Sequence, residues 1–102
     1  MQPLPEPVTH PASLRRMLKR FRAEAVVLAC ELDQTERDLA AIELELARQR
    51  LSGELDTEAL RAQCTELQEL HDHVASELAH AQLAIAGASA ELDRRFDSAL
   101  AG

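Results

Sequence analysis

Between Leu14 and Gln49, eleven positions follow one another at alternating steps of four and three residues: Leu14, Leu18, Phe21, Ala25, Leu28, Leu32, Thr35, Leu39, Ile42, Leu46 and Gln49. All but Thr35 and Gln49 are apolar. Such spacing keeps one stripe of an α-helix facing a partner, whereas a strand would need alternation at every second residue. Sustained over several heptads without a break, it is the pattern of a coiled-coil seam. A second series begins at Leu60 and continues through Cys64, Leu67, His71, Val74, Leu78, Ala81, Ile85, Ala88 and Leu92 to Phe96 or Ala99.

The two series are out of phase. Extending the first places seam positions at Gly53, Asp56, Leu60 and Gln63, but the second needs Leu60, Cys64 and Leu67. One straight rod does not carry a slip of three residues, so the chain breaks between them. Gly53 suits the left-handed position after a helix C-terminus. Asp56 or Thr57 suits the cap of the next helix, with Glu58 in its first turn. The reading is an all-α antiparallel two-helix coiled-coil hairpin: helix over about 12–51, turn over 52–57, helix over 58–100. Residues 1–11 hold all four prolines and are expected to form a flexible arm or docking peptide, with Pro11 in the first helical turn and Thr9 or His10 as its cap.

Composition supports this class. Aromatic residues are only 2% of the chain, so a sheet core is disfavoured, and the abundant Leu, Ala, Glu, Gln and Arg are strong helix formers. There is no apolar run long enough to cross a membrane and no apolar segment near Met1 resembling a secretory leader. Two cysteines cannot build a disulfide framework, which points to a cytoplasmic protein with reduced thiols.

Equal rise along both arms pairs residues whose numbers sum to about 107. His71 then falls near Glu36. Met17, Leu18 and Phe21 fall opposite residues 84–90, so bulky side chains meet Ala86, Gly87 and Ala88. Cys30 and Cys64 fall far apart. The first helix also carries a second apolar series, Val26, Cys30, Ala40, Leu44, Ala47 and Leu51, interrupted by Asp33 and Arg37 and pointing away from the seam. The second helix adds Leu70, Ala79, Leu83, Ala86 and Ala90 outside its seam. A helix apolar on two sides is usually covered on two sides, so a homodimer forming a four-helix bundle is expected.

Charge is unevenly placed. The net charge of −7 divides into +4 over residues 1–22 and −11 over residues 23–102. Overall acidity disfavours a general nucleic-acid binder. Locally, Arg15, Arg16, Lys19, Arg20 and Arg22 surround Leu14, Met17, Leu18 and Phe21 as a basic amphipathic segment. It could grip nucleic-acid phosphates, an anionic membrane or an acidic partner. Alternatively, its charges pair with Glu91, Asp93 and Asp97 across the hairpin. His73, Glu77 and His80 share a face, and Glu77-x-x-His80 has the spacing of helical-bundle metal ligands, which keeps a metal-binding bundle as a lesser reading. His71, at a seam position, reads as a register-setting polar residue. Glycine-rich phosphate loops, zinc-type cysteine spacing and an activated nucleophile are all missing from the sequence. The expected function is therefore a non-enzymatic interaction or scaffold protein that self-associates and binds a protein partner, without cofactor or small-molecule substrate. An acidic tip of Glu54, Asp56 and Glu58 on a helical hairpin resembles in outline the coiled-coil factors that enter the secondary channel of RNA polymerase. The hairpin chaperones of secretion and flagellar systems are similar in outline too. No family motif accompanies either outline, and fold alone does not assign function.

Overall fold

A computed structural model describes residues 10–53 and 57–101. Two helices account for nearly all of them: α1, Pro11–Leu51, and α2, Glu58–Ala101. The expected arm over residues 1–9, the cap option Thr9, and Glu54 and Asp56 of the turn lie outside the described residues.

Both ends of α1 follow from local chemistry. Pro11 occupies the first helical position, where its missing N–H costs nothing. His10 caps the helix, its Nδ1 accepting from the Ala12 N–H at 3.1 Å. At the other end the Ser52 and Gly53 N–H groups donate to the carbonyls of Arg48 and Arg50, and the Ser52 hydroxyl donates to the Gln49 carbonyl. Gly53 takes φ +77°, a left-handed conformation that a Cβ would strain. Thr57 stands immediately before α2, buried, with its carbonyl accepting from the Arg61 N–H at 3.0 Å.

The helices pack against each other along one seam. All eleven positions of the first series are buried or half-buried, and so are all ten from Leu60 to Leu92 in the second. Leu14, Leu18, Leu46, Val74 and Ala81 form the most enclosed part, together with Thr35. Thr35 satisfies its hydroxyl by donating to the Glu31 carbonyl at 2.8 Å, which lets a polar residue occupy the seam. The register agrees with the equal-rise pairing: Glu36 Oε1 lies 3.2 Å from His71 Nε2, across the two helices. The result is a rod, with a radius of gyration of 22.3 Å where a compact chain of this length has about 13 Å.

Three details depart from the sequence reading. The seam continues at Arg95, half-buried, while Phe96 and Ala99 are exposed. Arg95 packs its aliphatic stem there and turns its guanidinium to Glu91 at 3.1 Å. Gly87 and Ala86 are exposed and do not receive the bulky residues of α1. A Cβ on Gly87 would meet nothing within 4 Å. The three-and-four step sends Ala81, Ile85 and Ala88 inward and leaves residues 86 and 87 beyond the seam. Finally, Glu91 is engaged by Arg94 and Arg95 of its own helix, not by the basic segment of α1. Pairs at i,i+3 and i,i+4 on one helix are held close by the backbone, and they win over a longer cross-helix reach.

Candidate interaction surface

The features available for function are on the outside of the rod. The second series of α1 is fully outward: Val26 is 64% exposed, Leu44 73% and Leu51 90%. Cys30, Ala40 and Ala47 are exposed beside them. Their spacing places them on the face opposite the seam, one helical turn after another. Asp33 and Arg37 interrupt this stripe and are paired with each other at 3.0 Å. Both stay largely solvated, so the pair is a surface pair of small energetic weight. On α2, Leu83 is 70% exposed, and Ala79, Ala86 and Ala90 are exposed near it. Exposed large apolar residues also stand at the open end of the hairpin, where Phe96 and Leu100 close α2.

The same open end carries the basic segment. Arg15, Arg16, Lys19, Arg20 and Arg22 are all exposed. None forms an ion pair among the described residues; Arg16 donates to the Ser13 hydroxyl at 3.3 Å. The first turn of α1 holds no acid that would offset the positive helix end. Leu14 and Leu18 of this segment are buried in the hairpin seam, and Phe21 is half-buried. Met17 is exposed, but most of the apolar side of the segment is thus already used, and its cations face water. That geometry suits capture of an anion by charge and not insertion of an apolar face into lipid.

The histidines of α2 serve three separate contacts. His71 bridges Glu36 across the seam and Asp72 beside it at 3.5 Å. The hydrogen bond to Glu36, with that to Asp72, holds the His71 pKa above its ordinary value. His73 pairs with Glu77 at 3.0 Å. The His80 ring Nδ1 lies 2.8 Å from the Ser76 carbonyl and donates to it. Among the described residues, no group of three or more His, Cys, Asp or Glu side chains is arranged to hold a metal ion. Both thiols are unpaired, Cys30 on the outer stripe and Cys64 half-buried in the seam.

One concave feature escaped the sequence reading. An open groove of about 700 Å³ lies between the helices, lined by residues 20–28 of α1, Phe21 and Leu28 among them, and by Glu77, His80 and Ala81 of α2. Small residues at 23 and 81 beside the larger Phe21 and Leu28 were the available signal. Its depth depends on how far the helices splay, which periodicity does not encode. No described helix is long and apolar enough to cross a membrane. Comparison with family models, with curated proteins and with solved structures finds no match to this chain.

Proposed function

We propose that this protein is a non-enzymatic helical interaction module that self-associates through the outer stripe of α1 and presents the resulting bundle to a protein partner, in a cytoplasmic setting. The observation that carries this reading is the exposure of Val26, Leu44 and Leu51 on a helix whose opposite face is already packed. Isolated exposed leucines are ordinary, but an apolar series repeated at heptad spacing along one helix is what a helix–helix interface requires. A second copy supplies the same series, and two hairpins meeting there bring four helices together, α1 against α1 with each α2 on the outer side. Light scattering at micromolar concentration tests it: a dimer is expected for the native chain and a monomer for Leu44→Glu, with helical circular dichroism retained. A monomeric native chain overturns it.

A second role is favoured by one specific observation, the five exposed cations of residues 15–22 that have no ion pair among the described residues. This end of the rod binds an anionic partner, either an acidic protein surface or nucleic-acid phosphates. Binding to an acidic peptide or to a short duplex should weaken steeply with salt and be lost when Arg15, Arg16, Lys19 and Arg20 are replaced by Gln. No binding at low salt would remove this role. A metal site built on His73, Glu77 and His80 gains no support, because His73 and Glu77 pair with each other while His80 turns to the Ser76 carbonyl.

A further inference from the structure

We infer that the open end of the rod binds an amphipathic helix of another protein, one with an acidic stripe beside an apolar stripe. The site is the side of the hairpin where Arg15, Lys19 and Arg22 of α1 stand beside Phe96 and Leu100 of α2. This rests on the anion-binding role proposed above for the same end and names the partner's chemistry. The seam separates the two sides of the rod. Apart from the seam residues and Ala23, the groove described above is lined by residues that each precede a seam position: Arg20, Glu24 and Val27 on α1, Glu77 and His80 on α2. Residues that follow a seam position therefore share the opposite side, since each helix turns by about 100° per residue. Arg15 follows Leu14, Lys19 follows Leu18 and Arg22 follows Phe21. Across the hairpin Phe96 follows Arg95, and Leu100 stands one turn further on. The equal-rise pairing sets Phe96 level with Pro11, the first residue of α1, and Leu100 beyond it. α1 covers neither, and they stay 65% and 72% exposed.

The two halves of this side call for different chemistry. Arg15, Lys19 and Arg22 are exposed, make no ion pair among the described residues, and match an anion. Phe96 and Leu100 match apolar side chains, and Phe96 stands only about 6 Å along the axis from the level of Arg15. The phosphates of a duplex would use the cations and leave the apolar pair in water. A lipid surface of uniform negative charge would use both, but Asp93 follows Leu92 and so stands exposed on the same side, level with Leu14. Such a surface meets Asp93 as a like charge, which counts against it. A helix varies its side chains along its length. It sets carboxylates against α1, apolar side chains against Phe96 and Leu100, and an uncharged or basic residue at Asp93. From the level of Leu100 to that of Arg22 the site spans roughly 22 Å, about four turns of a partner helix.

The test uses a fluorescein-labelled, alanine-based helical peptide of about four to five turns, with Glu at i, i+4 and i+7 on one stripe and Leu on the adjacent stripe. Fluorescence anisotropy follows its titration with the full chain at low salt, and circular dichroism checks that each variant stays helical. Binding is expected. It should weaken roughly tenfold or more in the Arg15→Gln/Arg22→Gln chain and also in the Phe96→Ser/Leu100→Ser chain, as central contacts of an interface do. Replacing the peptide's Leu by Ser should weaken it as much. Binding that falls with the arginine pair and ignores the Phe96 and Leu100 pair overturns this inference and leaves the anion-binding role standing. A chain that binds a short duplex, or vesicles containing phosphatidylserine, and not the peptide overturns it in favour of that surface. A chain that binds no peptide, and whose mass by light scattering falls to that of a monomer in the Phe96→Ser/Leu100→Ser variant, overturns it in favour of a second copy. No binding of peptide, duplex or vesicle removes the anion-binding role, and this inference with it.

Discussion

At the scale of single residues, His71 and Glu36 carry the polar link between the helices at a seam position that a leucine would normally take. A polar pair there fixes register at some cost in apolar contact. Glu36, and then Asp72, stabilise the charged imidazole, so its folded pKa stands above the unfolded value of 6.5. The stabilisation is therefore fully present below about pH 6.5 and is lost as pH rises through the raised folded pKa. Thermal melts should give a higher Tm near pH 6 than near pH 8, and His71→Gln should flatten that difference. A His71→Gln chain with the same pH profile as the native one would sink this account. Gly87 offers a second residue-scale test. It lies inside α2 with open space around it, so Gly87→Ala should stabilise by about 0.5–1 kcal/mol, the helix-interior difference between these residues. An unchanged or lowered Tm would mean that position 87 meets something in solution. The His71–Glu36 pairing was legible from equal rise alone. That the cations of residues 15–22 make no ion pair among the described residues was not, because exposed ion pairs are decided by local side-chain reach, which periodicity does not record.

At the scale of the helices, adjacent positions on one helix have opposite fates. Leu46 is buried in the seam and Leu44, two residues earlier, points outward. Leu46→Ala should cost about 2 kcal/mol or more, as buried Leu truncations do, and should show as a fall in Tm. Leu44→Ala, measured at dilution sufficient to keep the chain monomeric, should change stability by no more than about 0.5 kcal/mol. Equal losses at both positions would contradict the placement of the seam. The seam was readable because a helix pair demands a period near 3.5, and only one face of each helix satisfied it. The turn was readable from the phase slip and from Gly53, whose positive φ the structure reproduces. The last turn of α2 was not readable. Phe96 is the more apolar choice, yet the step from Leu92 reaches Arg95, whose stem can pack while its charge stays with Glu91.

At the scale of the whole molecule, the rod buries little. Val74, the most enclosed apolar residue, is 3% exposed, and no large side chain among the described residues is fully buried. Each helix touches one other helix along one stripe, so every seam residue keeps a side near water. Ordering some ninety residues costs conformational entropy in proportion to their number, at roughly 1–2 kcal/mol for each backbone. A two-helix seam offsets that poorly beside a domain with a closed core, and small scaffolds commonly recover the difference by oligomerising. Covering Val26, Leu44 and Leu51 would add apolar burial on the face of α1 that now contributes nothing. If that burial supports the fold, stability becomes a function of protein concentration, because association binds the folded state and not the unfolded one. The Tm of the native chain should therefore rise as concentration is increased from the low to the high micromolar range. The Leu44→Glu chain should melt at one temperature throughout, close to the dilute limit of the native chain. A native Tm independent of concentration over that range would show that the hairpin stands alone, and that its outer stripe serves a different protein or none.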